Sequence, residues 1–291
     1  MSEPATGTRV LAAPMRNLLY TAGALVFGAG FQLFVLTEYT AEYFAWTIDP
    51  PLTAACLGAS YWAAMLLELS AARATRWVDA RVAVPGVLLF TALTNIPIFQ
   101  NLPAYNLDNP AAWVWVAVYL FVPFLLAGAL WHQLRQPGVD PARGEAPPLL
   151  IRGALAFHAV LFLGMGFGLL LAPELAGPFW PWDLNPGDSM YGGITEPYFG
   201  CWGLGLGLVA AQAAWENDMH RLRPAFPAYV ALGGFQLIAV ARYPETLSWD
   251  GPAAWLWVGL LASILITGVA GLLAGRGRTQ PTVVAAASPT G

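Results

Sequence analysis

The sequence contains no lysine, and that absence removes whole classes of chemistry at the outset. Without a lysine amine there is no Schiff base for retinal or pyridoxal phosphate, and no phosphate-gripping lysine of a Walker loop. Charge of either sign is scarce, at 10% of 291 residues, whereas 57% are hydrophobic and the mean hydropathy is +0.57. So little polar surface cannot cover a water-soluble globule. The expected partner is the lipid bilayer, with other membrane subunits as candidates and no nucleic acid. Cysteine is limited to Cys56 and Cys201. No metal-binding cysteine motif occurs, so no metal site is expected and no cofactor is assigned.

What the chain does have is a succession of apolar runs of roughly 20 residues, the hydrocarbon thickness divided by the helical rise. In lipid every backbone polar group must be paired within its own segment, so helices are the expected element. Spans are expected near 18–37, 52–70, 83–100, 111–131, 150–172, 198–214, 226–241 and 253–274, the third and seventh being the weakest. Arg9, Arg16, Arg73, Arg76, Arg81, Arg135, Arg143, Arg152, Arg221, Arg223, Arg276 and Arg278 then fall on one side. Glu38, Glu42, Asp49, Asp108, Glu174, Asp183, Asp188, Glu196, Glu245 and Asp250 fall on the other, with Arg242 the single base among them. By the positive-inside rule the arginine side is cytoplasmic, so both termini are expected there, in a protein of the cell (plasma) membrane. Trp46, Trp113, Trp115, Trp180, Trp182, Trp202, Trp249, Trp255 and Trp257 cluster toward the outer boundary, where an aromatic belt is the ordinary explanation.

The two halves resemble each other. Gly28-Ala29-Gly30-Phe31 matches Gly164-Met165-Gly166-Phe167, and at the same separation Trp46 with Ile48-Asp49-Pro50 matches Trp182 with Leu184-Asn185-Pro186. Asp108 to Trp115 matches Asp250 to Trp257, extending back without gaps to Arg81 and Arg223. The expected fold class is therefore all-α integral membrane: eight transmembrane helices as two parallel four-helix repeats, related by a pseudo-twofold axis along the membrane normal. The organisation reads as a cytoplasmic tail (1–14), a first repeat (15–133), a cytoplasmic linker (134–149), a second repeat (150–275) and a disordered cytoplasmic tail (276–291). The repeated motif, Phe44-Ala45-Trp46-Thr47-Ile48-Asp49-Pro50 with its echo at Trp180 to Pro186, resembles an uncharacterised family of bacterial multi-pass membrane proteins. That resemblance implies an eight-span or similar bundle and no particular catalysis.

Each candidate for chemistry has an ordinary alternative. Asp49, Asn109, Asn185 and Gly251 precede prolines that open apolar runs, the arrangement of helix caps. The outer acids Glu38, Glu42, Asp183, Asp188 and Glu196, interleaved with Trp180, Trp182, Tyr191 and Tyr198, suit either a vestibule or a solvated acidic face. Glu68 is the one carboxylate embedded in an apolar run, near the inner end of its span: an ionisable group there is a functional hypothesis by default, and the equal alternative is that it reaches the interface or pairs with Arg73 or Arg76. His158 is expected to make a neutral interhelical hydrogen bond. Arg242 is expected to neutralise Glu245 or Glu196, or to hold an anionic group. Cys56 and Cys201 occupy roughly equivalent positions and are expected to be small buried residues, with a disulfide as the alternative.

The span centres are nearly empty of charge, which weakens ion-coupled transport, and no catalytic spacing is visible, so the reading leans away from an enzyme. A transporter-like or lipid-handling protein survives, with an outer-facing cleft between the repeats for an apolar or lipid-like small molecule. Its expected lining is Trp46, Asp49, Trp180, Trp182, Asp183, Tyr191, Glu196 and Arg242. An accessory or scaffold subunit of a membrane complex is the runner-up, and a membrane-embedded enzyme ranks third.

Overall fold

A computed structural model describes residues 7–184 and 194–276, and these are built of helices joined by short turns, without a strand. The long helices are α1 (Ala13–Val35), α2 (Pro51–Ala72), α3 (Val84–Leu93) continued by α4 (Asn95–Gln100), α5 (Pro110–Leu134), α6 (Leu149–Leu171), α7 (Thr195–Glu216), α8 (Ala225–Arg242) and α9 (Pro252–Arg276). Proline opens several of them in the first turn, where its missing N–H has no helical partner to lose. Asn109 caps α5 by accepting from the Ala111 N–H at 2.9 Å, as expected. Asp49 does not cap α2, whose preceding residue is Pro50, and it stands exposed.

Six of the described helices, α1, α2, α5, α6, α8 and α9, are long and apolar enough to cross a membrane. The segment at 84–100 is shorter and is broken between α3 and α4. Pro97 cannot donate to the Leu93 carbonyl, and the Asn95 side chain donates instead to the Thr91, Ala92 and Tyr119 carbonyls. The other segment missing from those six is α7, not the expected weak seventh span. Glycine, Gln212 and Glu216 dilute its apolarity, and its burial among neighbouring helices makes a lipid-facing surface unnecessary.

α1 packs on α2, and α6 on α7; α8 packs on both α9 and α2, while α7 packs on α3 and α3 on α5. α2 is interior, 72% of its apolar window being buried, whereas α5 buries only 22% and turns Phe121, Phe124 and Leu125 outward, as a lipid-facing helix does. Two pairs of backbone contacts echo one another along the sequence, with donors 142 residues apart and acceptors 136 residues apart in each pair. The Trp77 N–H donates to Arg9 O (3.0 Å) and the Met219 N–H to Glu145 O (2.9 Å); the Asn106 N–H donates to Ala45 O (2.8 Å) and the Ser248 N–H to Pro181 O (3.0 Å). A side chain at Gly58 would meet the backbone of Phe34, and one at Gly200 the backbone of Leu170, so both helix pairs close through a glycine.

Candidate functional site

Tyr61 and Glu68 lie seven residues apart on α2, two helical turns that place both on one face, and that face looks into the bundle. It borders an apolar cavity of about 70 Å³ whose walls come from α1, α2, α3, α5, α6, α7 and α8. Leu67, Val87, Phe90, Val122, Phe162 and Leu232 are among the apolar residues on those walls. The polar side chains there are Glu68, Thr91, Tyr119, Trp202 and Tyr229. Thr91 spends its hydroxyl on the Val87 carbonyl at 2.8 Å, and the Tyr119 and Tyr61 hydroxyls pair at 2.7 Å. Glu68 Oε2 and the Tyr229 hydroxyl are buried without a partner.

A second space of about 510 Å³ opens between α1 and α5, lined by Ala24, Gly28, Phe31, Gln32, Val114 and Trp115 among others. It shares Leu25, Val26, Val118 and Tyr119 with the central cavity, so those four residues form the boundary between the two. A third, smaller space of about 30 Å³ is bordered by α2, α6, α7, α8 and α9. Trp180, Met165, Leu169, Trp257 and Leu261 are among the residues on its walls.

The residues expected to line an outer cleft are dispersed. Trp46 is buried against Phe44, Tyr105, Trp115 and Tyr198, and Trp182 against Trp180, Phe199 and Trp257, with its indole N–H donating to Thr53 Oγ1 at 2.9 Å. Neither belongs to an interfacial belt; nor do the buried Trp115, Trp202 and Trp257, whereas Trp113 and Trp255 are exposed and fit one. Trp180 is half-buried, Asp183 is exposed, and Tyr191, Asn185 and Asp188 lie outside the described residues. Glu196 is half-buried, and burial raises its carboxyl above the usual range, with nearby Asp183 adding to the effect.

Arg242 departs from expectation. It donates to the Phe34 carbonyl at 2.5 Å, to Thr37 Oγ1 at 3.4 Å and to the Tyr243 hydroxyl at 3.1 Å, so it ties the end of α8 to the end of α1. His158 is fully buried and pairs with Ser263 Oγ at 2.9 Å, the interhelical hydrogen bond that an apolar helix surface leads one to expect. Cys56 and Cys201 are both buried and free. The register that relates Gly58 to Gly200 puts Tyr198 opposite Cys56 in the comparison, so the cysteines are not counterparts. Among the described residues no group of three or more His, Cys, Asp or Glu could hold a metal.

The arginine-rich end carries a second polar assembly. Glu216, fully buried, accepts two hydrogen bonds from Arg81 and one from Arg221 Nη1 at 3.0 Å. Arg81 also pairs with Asp140 at 2.8 Å, Arg221 with Asp218 at 3.3 Å, and Arg76 with Asp79 at 2.7 Å, while His220 lies 3.5 Å from Asp79. Burial alone would raise the Glu216 carboxyl, but the hydrogen bonds from Arg81 and Arg221 outweigh it and hold it below the usual carboxylate range. Asp140 and the Pro141 carbonyl, which accepts from Arg221 at 2.6 Å, bind the linker into the same assembly.

Of the cavity's polar residues, sequence reasoning singled out Glu68 and missed Tyr119 and Tyr229. The available signal was spacing: Tyr229 and Gln236 repeat the two-turn interval of Tyr61 and Glu68, and all four are interior. Comparison of the chain with protein-family models, with curated proteins and with solved structures gave no match, so the site's geometry alone carries the functional reading.

Proposed function

We propose that this protein holds an apolar or lipid-like small molecule inside the membrane, in the central cavity, and that the molecule arrives sideways from the lipid through the gap between α1 and α5. The observation that carries the reading is the continuity of a lipid-facing gap with an interior apolar cavity across Leu25, Val26, Val118 and Tyr119. Ligand sites in helical proteins are typically concave and apolar, with few polar groups fixing orientation. The proposed pocket is thus displaced from the Trp46 and Trp182 segments, which pack among themselves toward the outer end.

The same proposal takes α3–α4 and α7 as membrane-crossing segments beside the six long apolar helices, giving eight spans in two parallel repeats. Support comes from the paired backbone contacts and from the arginine asymmetry, which also favours cytoplasmic termini and a cell-membrane location. Reporter fusions at each terminus test this: activity on the cytoplasmic side is expected, and an exterior terminus contradicts the eight-span reading.

A scaffold role has one observation of its own. Gly28 borders the gap with open space where a side chain would stand, beside Ala24, Ala29 and Ala111, and small residues let a foreign helix approach closely. Gentle detergent extraction followed by native mass spectrometry separates the readings. Co-purified lipid-like mass supports the binding function, and a stoichiometric protein partner with an empty cavity supports the scaffold.

A further inference from the structure

Resting on the cavity reading above, we propose that the molecule the central cavity accepts carries a single hydroxyl group on an otherwise apolar body, and that Glu68 and Tyr229 hold that hydroxyl between them. Two unpartnered polar atoms on residues that line one small apolar space carry the inference. Glu68 is 2% exposed and Tyr229 6% exposed, both line the cavity, and Glu68 Oε2 and Tyr229 Oη have no hydrogen-bond partner. They come from different helices, α2 and α8, so no local backbone geometry accounts for both.

A buried polar atom without a partner costs free energy; twelve such side-chain atoms occur among the described residues, and only these two belong to residues that line the central cavity. The neighbouring groups do not relieve these two, because Thr91 is committed to backbone carbonyls and Tyr119 to Tyr61. What remains is a pair of complementary needs in apolar walls. A hydroxyl meets both at once, since it donates to a carboxylate oxygen and accepts from a phenol O–H. A hydrocarbon meets neither, and an ionised carboxylate or phosphate would carry its charge into apolar walls with no cation beside them. The about 70 Å³ beside them is narrow, so the remainder of the molecule runs as a slender chain past Val118 and Val26 toward the gap between α1 and α5.

The test compares 1-octanol with nonane, which replaces the hydroxyl by a methyl group of similar size. Binding to the full-length protein in detergent is read by native mass spectrometry titration, in wild type, Tyr229→Phe and Glu68→Leu. The expected result is a preference of about tenfold for octanol in wild type, the factor one or two net hydrogen bonds supply. Loss of that preference in Tyr229→Phe, which keeps the ring and so preserves packing, with nonane affinity unchanged, supports the assignment even if Glu68→Leu fails to fold. Equal affinity for both probes in wild type overturns the hydroxyl anchor and leaves the apolar pocket standing, as does a preference that persists in both variants. Binding of neither probe overturns the pocket itself.

Discussion

Two spaces in this molecule differ widely in size: the gap between α1 and α5 holds about 510 Å³, and the pocket bordered by α6, α7, α8 and α9 about 30 Å³. Glycine sets how closely one pair of helices meets. α8 and α9 approach through Gly233, Gly268 and Gly271, where an added side chain would strike Leu265, Val230 and Phe226. The α1–α5 gap is instead bordered by Ala24, Gly28 and Ala111, small residues that leave its space unfilled.

The halves also differ in charge. Arg76 and Asp79 pair in the first, and Asp218 and Arg221 pair at the matching positions of the second with the signs exchanged. His220 also lies 3.5 Å from Asp79 and so brings the two pairs together. Glu216, whose counterpart is Ala74, is the point where the two sets join.

The largest expected effect therefore falls on that residue. Glu216→Ala strands Arg81 and Arg221 beside a void, and a loss of about 3–5 kcal/mol is expected for removing one partner of a buried ionic cluster. Chemical unfolding in detergent measures it; Ala74→Gly, in the other half, should change far less. The pH dependence has a definite sign. A carboxyl held below its unfolded value stabilises the fold above that unfolded value, and the contribution disappears as pH falls through the lower folded one. Wild type should thus lose stability through the acid side of the ordinary carboxylate range, and Glu216→Ala should show a shallower loss there.

Next come the matched tryptophans. Trp46→Ala and Trp182→Ala should each cost about 3–5 kcal/mol, because each leaves a hole in a packed aromatic cluster. Unchanged melting temperatures with impaired ligand retention would instead return these residues to a binding surface. A smaller effect is expected at Gly268→Ala, whose Cβ would stand 2.7 Å from the Val230 nitrogen: a cost of about 1–3 kcal/mol from overpacking, read as a lower melting temperature.

The smallest stability effect, and the sharpest functional contrast, belongs to Gly28→Leu and Gly164→Leu. Neither position has an atom within 4 Å of an added Cβ, so both variants should stay within about 0.5 kcal/mol of wild type. Gly28 lines the open gap and Gly164 lines neither of the spaces between α1 and α5 or between α6 and α9, so only the first should reduce uptake of an apolar ligand.

Much of the helical layout was legible in the sequence, because apolar runs and initiating prolines mark where α1, α5, α6 and α9 begin and end within a few residues. Asn109 was likewise legible as a cap, its preference for that place being local. The break between α3 and α4 was not, since it depends on Asn95 reaching the Tyr119 carbonyl on another helix. Tryptophan misled for a physical reason: an indole suits both the membrane interface and a packed core, and the choice at Trp46 and Trp182 is made by distant rings. The arginines were legible as a cluster in alternate connecting segments but not as partners of Asp140 and Glu216, which tertiary packing brings to them. Glu68 stood out as a carboxylate among apolar neighbours, while Tyr229 became visible only once α2 and α8 were seen to share a wall.

Photolabelling with an alkyl diazirine, followed by peptide mass spectrometry, tests sideways entry most directly. Label is expected on the interior residues Phe162 and Trp202 as well as on the outward Phe124 and Leu125, and Gly28→Leu should abolish the interior label while sparing the outward one. Labelling of outward residues alone in the wild-type protein would contradict a passage from lipid to the cavity between α1 and α5.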